Sequence, residues 1–248
     1  MARVRRLPFV ARAGVMADVG AALDAARHGR GTLLLVSGEA GIGKTRLAEE
    51  AARHANGFQV VWTWCTPEGT LRPWSRVVRM LAGADAAAER VIQQSDYLAD
   101  LVAERPDTPH RDPETARWLL SLDLADLLAT TSRPLLLVID DLHDADPSSL
   151  QLLAKLAPSL RSTAAVVLAT ARDGERDWLG RSEVWATLNR LGETVQLWAF
   201  QEADIAALLS QTLRGPHPPR RFAPSPPVPG ATRCWCASWL GPSLNSLT

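Results

Sequence analysis

Apolar positions along this chain follow two rhythms. Unbroken apolar runs at Leu33-Leu34-Leu35-Val36, Leu135–Ile139 and Ala164–Ala171 read as strands buried on both faces. Between them the apolar residues space themselves for helices. Val19, Ala22, Leu23 and Ala26 fall on one face of a helix predicted over Val15–His28, which Gly29-Arg30-Gly31 ends. The same reasoning predicts helices over Thr45–Ala55, Trp74–Leu81, Ala86–Glu104, Pro113–Thr131, Pro147–Leu160, Ser182–Leu191 and Glu202–Leu213. Strands are predicted over Thr32–Ser37, Phe58–Cys65, Leu135–Ile139, Ala164–Ala171 and Thr194–Trp198, with a loop over Pro67–Arg72. Alternating strands and helices, with near-continuous apolar strands, imply an α/β fold. Its five-stranded parallel sheet is sandwiched by helices.

Composition changes this picture little. The 248 residues carry a formal net charge of zero, and 46% are hydrophobic. Nothing in that balance argues for bulk attraction to nucleic acid or to an anionic membrane, so neither is an expected partner. No apolar run reaches spanning length, and the N-terminus lacks the apolar core of a signal peptide. Cys65, Cys234 and Cys236 make neither a disulfide framework nor a zinc site. A reduced, cytoplasmic protein is expected.

The candidate chemistry begins after the first strand. Gly38-Glu39-Ala40-Gly41-Ile42-Gly43-Lys44-Thr45 fits G-x-x-x-x-G-K-[ST], and the helix starting with Arg46 follows at once. Strand, glycine loop and helix form the context a phosphate-binding loop requires. The glycines let successive backbone N–H groups turn inward on an anion, and the helix N-terminus adds a positive dipole end. Lys44 is placed to reach terminal phosphates, and Thr45 to offer its hydroxyl to Mg²⁺. The chain uses Arg 25 times and Lys only at Lys44 and Lys155. Against that bias, lysine stands where a compact ammonium suits a phosphate cradle.

A phosphate loop needs a metal partner. The strand Leu135–Ile139 delivers Asp140 and Asp141 at its C-terminal end, on the side where a nucleotide crevice forms. Asp140 is expected to hold Mg²⁺ through water. Asp141 is expected to orient or deprotonate an attacking water. Arg172 closes the next strand and is placed to sense a γ-phosphate, while His143 reads as a structural histidine. Trp62, Trp64, Trp74, Trp118, Trp178, Trp185 and Trp198 are scattered and read as core packing rather than a base-stacking platform.

Together these residues resemble a family. The loop through Arg46-Leu47, with Leu137-Val138-Ile139-Asp140-Asp141-Leu142-His143-Asp144-Ala145-Asp146, looks like the AAA-like P-loop NTPase module of the STAND class. That module occurs in large ATP-binding LuxR-type transcription regulators. Phe9-Val10-Ala11-Arg12 looks like the family's F-V-G-R opening motif, Ala169-Thr170-Ala171-Arg172 its sensor strand, and Leu197–Phe200 with Ala203–Leu209 the hand-over into a helical lid. The resemblance implies ATP and Mg²⁺ as ligands. It places Val10 near the adenine, and Gly38, Glu39, Ala40, Gly41, Ile42, Gly43, Lys44, Thr45 and Arg46 on the phosphates. It also implies slow hydrolysis acting as a switch, with self-association a possibility in full-length members. Departures are Ala11 for glycine, no acidic residue in Ala13-Gly14-Val15, and Asp144 where tryptophan is usual. Other readings are an origin-recognition-like AAA DNA-binding ATPase, a small-molecule kinase, or a non-functional remnant.

The expected organisation is an N-terminal segment and helix over 1–31, an ATPase core with the start of a lid over 32–213, and a Pro-rich tail over 214–248. Residues 215–248 contain eight prolines and no Asp, Glu or Lys, the composition of a disordered tail. Back-translated with GC-rich codons and read in a shifted frame, Gly230–Trp239 gives G-N-P-L-L-V-R-E-L, which resembles the family's lid motif. The expectation is therefore a frame change or truncation near residue 215, with the lid missing or only begun.

Overall fold

Strands β1 (Thr32–Gly38), β2 (Gln59–Trp64), β3 (Leu135–Asp140), β4 (Ala165–Arg172) and β5 (Glu193–Gln196) pair in the order β2-β3-β4-β1-β5 in a computed structural model of the chain. Every pairing is parallel. The structure describes Phe9 and residues 12–103, 112–172 and 182–213. Val10, Ala11, Trp178 and the whole tail segment 214–248 lie outside the described residues.

Burial follows strand position. β3 is buried throughout, and β4 is buried except at its last residue. At the sheet edge, β2 alternates, with Val60 and Trp64 exposed. Leu33, Leu35, Leu137 and Val167 face one apolar cluster, and Leu34, Val36, Leu136 and Leu168 face another. The first cluster is completed by α3 (Arg72–Ala82), α4 (Ala86–Gln94), α5 (Asp96–Val102), α6 (Pro113–Thr130), α7 (Pro147–Leu156) and α8 (Ser182–Leu191). The second is completed by α1 (Ala13–Arg27) and α2 (Lys44–His54). Each fully buried Leu, Ile or Val contributes about 1.5–3 kcal/mol, so the three central strands and their covers anchor the fold. The sheet is thus sandwiched by helices. The last helix among the described residues, α9 (Glu202–Leu213), follows β5 and leaves Ile205 and Leu209 exposed. No helix among the described residues is long and apolar enough to cross a membrane.

Three sequence expectations need correction. The helix over Ala86–Glu104 is two helices, broken at Ser95, whose backbone is extended. The Ser95 hydroxyl accepts the Leu98 N–H at 3.0 Å and donates to Asp123 Oδ2 at 2.5 Å. A serine that caps a new helix and is tied to α6 outcompetes the helical ladder. The helix over Pro147–Leu160 ends at Leu156 and tightens into a 3₁₀ segment, Ala157–Ser162, because Pro158 has no N–H to donate. The strand over Thr194–Trp198 stops at Gln196, although Leu197 N–H still reaches Ser37 O at 2.8 Å.

The tryptophans also divide. Trp74 is buried, and its indole N–H donates to Ser149 O at 3.2 Å. Trp64, Trp118 and Trp198 are 51%, 52% and 71% exposed, so core packing does not describe them. Trp64 points outward from the edge strand and carries the Arg76 guanidinium 4.3 Å from its ring centroid.

One glycine shows how tightly the lower end of the sheet is packed. A Cβ on Gly31 would lie 2.1 Å from Ala165 O and 2.7 Å from Leu160 O, both backbone atoms. Gly31→Ala should therefore destabilise the chain by about 1–3 kcal/mol, read as a lower urea midpoint. An unchanged midpoint would mean that the β1–β4 contact is looser than described.

Candidate functional site

The strand order decides what meets at the C-terminal edge of the sheet. β4 lies between β1, which feeds the glycine loop, and β3, which ends in Asp140. Side chains from β4 therefore project between loop and carboxylate, the crevice position for ligands in α/β sheets.

The loop begins at Gly38, the last residue of β1, and ends at Lys44, the first of α2. Gly41 and Gly43 have φ of 75° and 100°, a region that costs a side-chain-bearing residue energy. No side chain caps α2, and no acid occupies its first turn. The helix N-terminus keeps its positive end and its N–H donors facing the loop. Lys44 is only 7% exposed, and its Nζ donates to Gly38 O and Glu39 O, each at 2.8 Å. The ammonium is thereby held across the head of the loop. Arg46, one residue into α2 from Thr45, is turned along the helix toward Glu49 at 2.9 Å and Glu50 at 3.6 Å.

Across the crevice, Thr45 Oγ1 lies 3.2 and 3.0 Å from the two carboxylate oxygens of Asp140, a buried residue. Thr170 Oγ1 donates to Asp140 Oδ1 at 2.5 Å and accepts the Asp141 N–H at 3.0 Å. In the sequence Thr170 stands out only as part of the strand motif Ala169-Thr170-Ala171-Arg172. The usable signal was a hydroxyl inside the apolar run Val166–Ala171, where a buried polar group must find partners. Asp141 follows at φ 55° and ψ 48°, left-handed backbone that Asp tolerates better than most residues. Its side chain is exposed, with Oδ1 3.9 Å from His143 Nδ1. His143 is buried beneath the aspartates, its Nε2 3.7 Å from Asp144 Oδ2.

Arg172 ends β4 in register with Gly38, so its backbone lies beside the first glycine of the loop. Phe9 is half-buried against the cluster under α1 and α2. Arg12 Nη2 donates to Ile42 O at 3.4 Å, and its guanidinium sits 4.9 Å from the Phe200 ring centroid. Burial lowers the Arg12 pKa, opposed by Asp204. From the opening segment this one side chain reaches both the loop and the segment before α9, a role that its motif does not reveal.

The electrostatics of the edge are two-signed. The positive loop faces Asp140, and Asp141, Asp144 and Asp146 follow it on the β3 side. Their field registers on Cys65, the residue after β2. Its thiol is pushed up to about 12, first by burial and then by Asp146, Asp144, Asp141 and Asp140. Donors and a buried ammonium on one side, with a hydroxyl–carboxylate pair opposite, fit a phosphate chain neutralised by a hard divalent cation.

The sequence profile of the family described as AAA ATPase domain matches residues 8–168. An uncharacterized protein of Rhizobium meliloti (strain 1021) is 26% identical over 199 residues, which cover 69% of this chain but 19% of that protein. The chain thus spans about a fifth of the length of this curated relative. Solved structures with a similar fold include the Aeropyrum pernix ORC1 protein in complex with DNA, at 15% identity and TM-score 0.49, covering 84% of this chain and 50% of that one. They also include domain III of the Thermotoga maritima replication initiation protein DnaA, at 18% identity and TM-score 0.44, covering 83% and 71%. With the family profile matched over more than half its length, this chain belongs to the AAA ATPase domain family.

Proposed function

We propose that the chain is the Mg-ATP-binding module of a LuxR-type regulator of the STAND class, hydrolysing ATP slowly as a switch. The observation that carries the nucleotide part is the hydrogen-bonded pair of Thr45 and Asp140, opposite a loop that holds Lys44 at the uncapped start of α2. The regulatory part rests on the resemblance of the opening motif, sensor strand and lid hand-over. Residues 32–213 form the ATPase core with the start of its lid, preceded by the segment 1–31.

In this reading the segment 38–46, with the backbone of 38–43, Lys44, Thr45 and Arg46, binds the phosphates. Val10 lies near the adenine. Thr45 and Asp140 would hold Mg²⁺, which when bound neutralises charge on the phosphate oxygens. Thr170 fixes the Asp140 carboxylate. Asp141 orients water and accepts its proton. Arg172 answers to the γ-phosphate.

Asp140→Asn tests the assignment. Mg²⁺ should strengthen ATP binding to the native chain by about tenfold or more, and the Asn variant should lose most of that gain. Calorimetric titration with and without Mg²⁺ reads both values, and an unchanged Mg²⁺ gain in the variant would remove Asp140 from the metal site. An origin-recognition-like reading predicts saturable binding of duplex DNA by this chain. The regulator reading predicts none, and fluorescence anisotropy separates the two.

A further inference from the structure

The sheet carries a second concavity at its opposite end. A cleft of about 410 Å³ opens where β1 and β5 begin, far along the strands from the glycine loop. That volume lies in the range of small-molecule sites. Ala22 and Ala25 of α1 and Leu191 of α8 give it an apolar wall. Its floor is backbone at Gly31 and Gly192, where a Cβ would collide with Ala165 O at 2.1 Å and with Leu33 O at 2.9 Å.

Three arginines from three separate segments line this cleft: Arg30 before β1, Arg161 in the 3₁₀ segment and Arg190 near the end of α8. Arg27, Arg46 and Arg53 pair with acids three or four residues away on their own helices, Arg27 with Asp24, Arg46 with Glu49 and Arg53 with Glu49 and Glu50. No salt bridge among the described residues engages Arg30, Arg161 or Arg190. A helix dipole accounts for one of the three, since Arg190 sits in the last turn of α8. It does not explain their convergence. The acid in the lining is Glu193, and Thr32 Oγ1 donates to its Oε1 at 3.2 Å. Two positive charges remain in excess.

We propose that this cleft binds a small dianion with a compact apolar part, a phosphomonoester or a dicarboxylate. Guanidinium forks match both groups, engaging two oxygens at once. The alanine and leucine wall would take the carbon skeleton. Glu193, fixed by Thr32, disfavours ligands with a third negative charge on that side. The proposal is independent of the nucleotide reading, because the cleft and the glycine loop lie at opposite ends of β1.

The test is an amide-resolved NMR titration of the whole chain in excess Mg-ADP, with inorganic phosphate and with succinate as probes and sodium chloride matching the ionic strength. Saturable shifts at Gly31, Thr32 and Gly192 from either probe are expected, and the probe that saturates names the class. The Arg161→Gln/Arg190→Gln double variant should bind about tenfold or more weakly. Arg190→Lys, which keeps charge but loses the fork, should fall between. Both positions are exposed, so the fold is expected to survive, and an unchanged spectrum elsewhere checks it. Arg30→Gln alone provides an independent second variant. Shifts that merely track ionic strength, shifts confined to Gly41 and Gly43, or equal binding by the native chain and the double variant would each overturn the proposal. Failure of ADP to bind would appear at Gly41 and Gly43 and leave the cleft arms readable.

Discussion

Asp141→Asn is expected to lower ATP turnover by about a thousandfold while leaving ATP affinity within about twofold of the native value. The substitution is clean because of where Asp141 sits. Its backbone is left-handed, at φ 55° and ψ 48°, and Asn enters that region as readily as Asp. The Asp141 N–H bond to Thr170 Oγ1 does not involve the side chain. What changes is the ability of an exposed carboxylate at the crevice edge to accept a proton. Asp140 remains, so binding should persist. Single-turnover phosphate release, set beside binding of a fluorescent nucleotide, measures both quantities. Native-like turnover in the variant would show that Asp141 is not the base, and a parallel loss of binding would show that it belongs to the ligand cradle.

Lys44→Ala should weaken ATP binding by about a hundredfold or more, roughly 2.7 kcal/mol at two decades of affinity. The ammonium is buried, held by two carbonyls at the head of the loop and adjacent to the uncapped N-terminus of α2. Charge-assisted hydrogen bonds in such a partly dry setting are about twice as strong as neutral ones. The stability of the chain without nucleotide should fall by about 1–3 kcal/mol, because the Glu39 carbonyl is open to water while the Gly38 carbonyl is buried. Lys44→Arg should not restore binding, since a planar fork does not fit where a point charge reaches two carbonyls. Calorimetric titration with Mg-ATP checks each statement. Equal affinity in Lys44→Ala would separate the glycine loop from the binding site.

Much of this architecture was legible in the chain. The strands were readable because central strands buried on both faces become unbroken apolar runs, as Leu135–Ile139 and Ala165–Ala171 are. The loop was readable because phosphate chemistry fixes its glycines, lysine and hydroxyl in order. Three kinds of feature were not legible. Ser95 looks like one more polar residue on a helix until Asp123, distant in sequence, receives its hydroxyl. Thr170 acquires meaning only when β4 is placed between β1 and β3, which no local pattern states. The arginines of the second cleft come from positions 30, 161 and 190, and only the fold brings them together. The exposure of Trp64 and Trp198 has a similar origin. Aromatic residues suggest a core, but an edge strand and the segment after β5 leave one side uncovered.

The central claim is that this crevice binds Mg-ATP through the glycine loop. Thermal unfolding of the native chain with and without Mg-ATP, beside Lys44→Ala, tests it most directly. At a hundred times the dissociation constant, ligand should add about 2.7 kcal/mol, a rise in Tm of roughly 5–10 °C for a chain of this size. The account predicts that rise in the native chain and at most about 0.4 kcal/mol of it in Lys44→Ala at the same ligand concentration. A native chain whose melting is unmoved by saturating Mg-ATP, or a Lys44→Ala variant that gains the same increment, would contradict it.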